Sequence, residues 1–169
     1  SDPTGTWFKY RFDVTPISDN DIDSPNMAID SEAVYLCADF FGPDKYLIYM
    51  LDKSQLISGA ANPSWKHILL TNQQSHGIAM NYDGNSPATY LIRGDEFTTS
   101  TTLRLSAVLD PLGTPTLANT TITVPLYGHP VDPVSQGTSS RPELFESRFW
   151  SCVLRNDRLW AVHHQSPNA

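Results

Sequence analysis

An internal repeat constrains this chain more than any other feature. Ile29-Asp30-Ser31-Glu32-Ala33-Val34-Tyr35-Leu36, closing at Met50-Leu51-Asp52, can be laid over Tyr82-Asp83-Gly84-Asn85-Ser86-Pro87-Ala88-Thr89-Tyr90-Leu91, closing at Val108-Leu109-Asp110. Both units read as strand, Asp-led turn, Tyr-Leu strand, loop, and a strand ending in Leu-Asp. A third copy starts at Phe149-Trp150-Ser151-Cys152-Val153-Leu154, turns through Arg155-Asn156-Asp157-Arg158, and resumes as Leu159-Trp160-Ala161-Val162. A unit of four antiparallel strands cannot bury both faces alone and must stack on its neighbours, which is how a β-propeller is built. The spacing predicts a partial β-propeller: 1–13 as the end of one blade, 24–72 and 75–127 as full blades, and 147–169 as the start of a further one. A β-sandwich whose halves resemble each other by coincidence is the alternative.

The rest of the sequence agrees with an all-β chain. Only 17% of the 169 residues are charged, against roughly 25% in average usage, while Pro numbers 13 and Ser plus Thr 32. Short runs rich in aromatic and β-branched residues, bounded by Gly, Pro, Asn or Asp, recur from Thr6–Phe12 to Arg158–His163 and predict strands throughout. One helical turn is expected at Lys53-Ser54-Gln55-Leu56-Ile57, stopped by Gly59. Three of the four Trp are expected to pack between blades. Three blade equivalents cannot close a ring of roughly 4–8 blades, so other chain must complete it.

Charge and hydropathy exclude some partners. Eleven Lys plus Arg against 18 Asp plus Glu give a net charge of −7, the wrong sign for nucleic acid or an anionic membrane surface. No run approaches the ~18 apolar residues that membrane insertion by a helix requires. The start at Ser1-Asp2-Pro3-Thr4-Gly5, without Met, basic region or apolar stretch, reads as a chain whose upstream sequence has been removed. Cys37 and Cys152 each sit in an apolar run and read as small buried hydrophobes.

A family resemblance adds to this reading. Asp2-Pro3-Thr4-Gly5-Thr6-Trp7 with Tyr10-Arg11-Phe12, Ala33-Val34-Tyr35-Leu36 with Asp39-Phe40-Phe41, Leu51-Asp52-Lys53, Leu56-Ile57-Ser58-Gly59, Arg148-Phe149-Trp150 and Asn156 to His163 resemble a family of bacterial secreted β-propeller proteins of mostly unassigned activity. The resemblance spans nearly the whole chain and implies a secreted, cell-surface or periplasmic location. It also implies that the Asp-Pro-Thr-Gly segment ends a blade whose earlier strands lie upstream. It offers no guide to Asp19-Asn20-Asp21-Ile22-Asp23, where the family has a shorter apolar-aromatic turn.

Several residues are candidates for chemistry. Asp19, Asp21 and Asp23 alternate as in the first half of a calcium loop, with Asp30 at the position of the closing carboxylate, although Ser24-Pro25 replaces the turn glycine. Arg93 and Arg148 suit bidentate recognition of an anionic sugar. Asp39, Asp95, Glu96 and Glu146 lie near strand ends, so Arg93, Glu96 and Arg148 form the candidate ligand set of a glycoside hydrolase, sialidase-like or other. Asn119-Thr120-Thr121 is a glycosylation sequon for a glycosylating host. No Gly-x-Ser-x-Gly elbow and no zinc-ligand spacing occurs in the sequence. The leading expectation is a non-catalytic extracellular propeller module that binds or assembles with other protein chains, a second copy among them. Part of a carbohydrate-active hydrolase is the alternative.

Overall fold

The computed structural model describes residues 3–17, 21–40, 45–73, 76–84, 88–95, 98–129, 132–133, 137 and 147–165. The protein is all-β. Strands β1 (Ile22–Ile29), β2 (Ala33–Phe40), β3 (Lys45–Asp52) and β4 (Trp65–Thr71) form a four-stranded antiparallel sheet in sequence order. Strands β5 (Gly77–Asn81), β6 (Thr89–Arg93), β7 (Ser100–Leu109) and β8 (Thr116–Tyr127) form a second antiparallel meander, and β9 (Phe149–Arg155) and β10 (Arg158–His163) extend it. The resulting six-stranded sheet has the order β10-β9-β5-β6-β7-β8.

The period of two assigns each side chain to a layer. In β2 and β3, Tyr35, Cys37, Tyr46, Ile48 and Met50 face the second sheet and meet Ile78, Leu91 and Val108. Their neighbours Phe40, Leu47, Tyr49 and Leu51 face the other way, where Phe12, Val14 and Ile17 cover them. β2 and β3 are therefore buried on both faces and read as nearly continuous apolar runs. A third layer on the far side of the six-stranded sheet gathers Ala79, Ile92, Phe149, Cys152 and Leu154.

The Leu-Asp ends of the two repeats do the same local work. Asp52 caps helix α1 (Lys53–Ser58), its Oδ1 accepting from the N–H groups of Ser54 at 2.9 Å and Gln55 at 3.2 Å. Gly59, at φ 75°, closes the helix in the left-handed conformation that glycine adopts without a Cβ penalty. Asp110 likewise accepts from Thr114 N–H at 2.7 Å, stiffening the β7–β8 turn.

Three sequence expectations are corrected. Thr6–Phe12 is not a strand; it lies as irregular chain, held by the Tyr10 hydroxyl donating to Leu56 O at 2.8 Å and by Phe12 against Tyr49. The four Trp do not pack inside: Trp7, Trp65, Trp150 and Trp160 are 68, 44, 50 and 62% exposed. Finally, β9 does not stand in a sheet of its own. It pairs in parallel with β5 through Ala79–Cys152, Met80–Val153 and Asn81–Leu154. Gly77 permits that approach, since a Cβ there would lie 2.6 Å from Cys152 Sγ and 2.8 Å from Phe149 Cβ. Both cysteines are buried free thiols, as their apolar surroundings predict. Among the described residues no helix is long and apolar enough to cross a membrane.

Candidate functional site

The first strands of the three units are neighbours: β1 packs beside β5, and β5 pairs with β9. A pocket of about 90 Å³ opens where these strands begin, lined by Ser24, Asn26, Asp39, Tyr46, His76, Arg148 and Trp150 among others. A bulge between Asp23 and Asn26, forced where Pro25 cannot donate to the ladder, puts Ser24 at φ 49° and turns it toward the pocket. There Arg148 Nη1 donates to Ser24 Oγ and lies 3.7 Å from Asp39 Oδ2, while its guanidinium sits 5.2 Å from the Trp150 ring centre. Both partners of the ion pair are largely withdrawn from solvent, so each depends on the other for its charge.

His76 completes the pocket. Its ring packs 4.6 Å from that of Tyr46, whose hydroxyl donates to His76 O at 2.8 Å. Burial first, then the positive charges of Arg93 and Arg104, push the imidazole down to about 3, so it is neutral at pH 7. Its Nδ1 is buried without a hydrogen-bond partner. A guanidinium over an indole and a neutral imidazole nitrogen can hold a small polar group. Hydrolysis of a glycoside needs two carboxyls roughly 5–9.5 Å apart, and among the described residues the pocket contains one, Asp39, engaged by Arg148.

The remaining candidates are dispersed. Arg93 is half-buried on β6 opposite Arg104, outside the pocket lining. Asp95 is exposed after β6, its N–H bonded to Tyr127 Oη, and Glu96 and Glu146 lie outside the described residues. Asn119 is exposed on the edge strand β8, its Oδ1 accepting from Ser106 Oγ at 2.6 Å. Asp21 and Asp23 are exposed, and Asp19 lies outside the described residues. Because β1 runs extended between Asp23 and Asp30, those two are separated by roughly 20 Å, and Asp30 does not close a calcium loop with Asp23. Among the described residues no group of three or more His, Cys, Asp or Glu is placed to hold a metal.

Asp30 instead ties one unit to the next. Its Oδ1 accepts from Glu32 N–H at 2.8 Å and Ala33 N–H at 2.7 Å; its Oδ2 accepts from the Tyr35 hydroxyl at 2.6 Å and, across the junction, from Thr89 Oγ1 at 2.7 Å. Burial pushes this carboxyl up, and the donated hydrogen bonds outweigh it, leaving it below the usual carboxylate range. Asp83, at the matching turn of the second unit, accepts from Asn156 N–H and Asp157 N–H of the third, both at 2.9 Å. Carboxylates at the same repeat position thus each reach the following unit, Asp30 at a hydroxyl on β6 and Asp83 at the backbone of the β9–β10 turn. Sequence reasoning recognised the Asp-led turns but not this role, which depends on a neighbour more than fifty residues away.

Past the third unit there is an open face. Ser151–Val162, Val153–Trp160 and Arg155–Arg158 are cross-strand pairs of the β9–β10 hairpin on the side away from the Phe149, Cys152 and Leu154 layer. Trp160 and Val162 are exposed there, with Trp150 nearby. A comparison with family models finds no matching family, and searches of curated proteins and of solved structures find no match. The functional reading therefore rests on this chain's own geometry.

Proposed function

We propose that this chain is an arc of a β-propeller that acts as a non-catalytic, extracellular module, assembling with or binding other protein chains through its exposed blade faces. One observation carries the reading: units one to two and two to three are each joined through an Asp at the same repeat position, while the outward face of the third unit keeps Trp160 and Val162 in solvent. The first strands of the units, β1, β5 and β9, lie side by side, which supports a common axis, with β5 and β9 hydrogen-bonded into one sheet. Exposed tryptophans on a sheet face favour association, since monomers rarely leave contiguous apolar patches uncovered. Sedimentation velocity on the intact chain at micromolar concentration tests this. A species heavier than 18.8 kDa, or one captured by a partner chain through this face, is expected. A well-folded 18.8 kDa monomer that engages no protein partner refutes it.

A further inference from the structure

Resting on that assembly reading, we infer that the outward face of β9–β10 receives the β1–β2 hairpin of a second copy of this chain, with Asp157 as the latch between copies. The place of the latch follows from the two junctions inside the chain. Asp30 stands one residue past β1 and Asp83 two past β5, each holding the following unit. Asp157 stands two past β9, in a two-residue turn with Asn156 and Asp157 at φ 53° and 56°, the conformation of a tight hairpin. Its backbone N–H is taken by Asp83, whereas its carboxylate is exposed and has no hydrogen bond among the described residues. The acceptor that fastens each unit to the next is present in the third unit, and among the described residues no donor meets it.

Charge selects the occupant. Arg155 and Arg158 lie directly opposite each other, a like-charge pair that destabilises a hairpin unless an anion meets it. The span 147–165 has three Arg against one acid, Asp157. The span 22–40, by contrast, has four carboxylates and no Lys or Arg. Asp30 and Asp39 are engaged internally, which leaves Asp23 and Glu32 exposed on the β1–β2 hairpin. Between Asp30 and Glu32, Ser31 is exposed and offers an N–H and a hydroxyl at the turn that matches the Asn156-Asp157 donors of the second junction. The two ends of one molecule therefore complement each other in charge and in hydrogen bonding but face different directions along the repeat. Such a contact is head-to-tail, and it closes into a ring or continues as a chain according to its rotation.

Charge reversal with mixing is the test. Arg158→Glu and Glu32→Arg each change an exposed side chain, so near-UV dichroism and the urea midpoint should stay close to wild type. Each variant alone is expected to weaken self-association by about tenfold or more in sedimentation velocity, and an equimolar mixture to restore it, because the acidic C-terminal face of one then meets the basic N-terminal hairpin of the other. Asp157→Asn, which tolerates the same turn, should weaken association without disturbing the fold. If wild type associates and neither single variant weakens it, or if the mixture is no stronger than its parts, this surface is wrong while the assembly reading stands. If the wild-type chain is monomeric yet binds another protein, the second copy is excluded. If it is monomeric and binds none, the assembly reading falls as well.

Discussion

Replacing Asp30 with Ala should reveal how much a unit junction contributes to stability. Four donors converge on this carboxylate, and two of them, the hydroxyls of Tyr35 and Thr89, belong to residues with 0% exposure. In the variant the Glu32 and Ala33 N–H groups sit at the edge of an accessible turn and recover water, but the two hydroxyls do not. An orphaned buried donor costs ~1–3 kcal/mol, so the pair amounts to about 4 kcal/mol, a large share of the ~5–15 kcal/mol that holds a domain together. With a urea m-value of ~2 kcal/mol per M, the midpoint should fall by about 2 M. Asp83→Ala removes the equivalent latch at an exposed turn and should cost only about 1 kcal/mol. The acid limb gives a second reading: the folded carboxyl lies below its unfolded value of 3.8, so its contribution is complete above that pH and is lost as pH falls through the folded value. Urea unfolding followed by far-UV dichroism measures both variants. Equal losses, or a loss below about 1 kcal/mol for Asp30→Ala, would show that the junction is not held by this carboxylate.

Other consequences concern the pocket and the packing beneath it. His76 titrates at 6.5 when unfolded and about 3 when folded, so between those values only the unfolded chain takes the proton; stability should fall as pH drops through that window by up to ~1.4 kcal/mol per unit. His76→Gln should flatten the slope between about pH 6.5 and 5 to the share left by His163, while nearer pH 3.8 the lowered carboxyls of Asp13, Asp30 and Asp52 add their own slope in both proteins. Gly77→Ala should destabilise by ~1–3 kcal/mol in chemical denaturation, because its Cβ would meet Cys152 and Phe149 where β5 and β9 pair; an unchanged midpoint would mean that the two strands are less tightly apposed. Burial pushes the Cys37 and Cys152 thiols up to about 12, so neither should react with a disulfide reagent at pH 8 until urea unfolds the chain, and prompt labelling of the native protein would contradict the packing.

Much of the fold is legible in the repeat. The Tyr-Leu and Leu-Asp landmarks locate β2, β3, β6 and β7, and the Asn156-Asp157 turn marks the last hairpin, because period-two patterning and turn chemistry are local. What the sequence hides is what depends on distant partners. The spacing of Asp19, Asp21, Asp23 and Asp30 suits a loop as well as a strand, and the apolar run Met27-Ala28-Ile29 decides for the strand only once β2 is there to pair with it. Thr6–Phe12 has strand-like composition, yet packs by its side chains instead of joining a sheet. Aromatic content alone does not distinguish a covered sheet face from an open one, which is why the expectation that three of the four Trp pack inside fails. The pairing of β5 with β9 has no local signal beyond Gly77. The pocket gathers Ser24, Asp39, His76 and Arg148 from four places in the chain, and of these the sequence singled out Asp39 and Arg148.

The most direct test is a crystal structure of the assembled chain at a concentration where sedimentation shows a single species. We expect the first strands of the units to surround one axis, and the face bearing Trp160, Arg155 and Arg158 to be buried against the β1–β2 hairpin of the next copy, with Asp157 within hydrogen-bond distance of Ser31. Isolated two-sheet sandwiches with Trp160 in solvent and no shared axis would contradict the propeller arc and the assembly that follows from it.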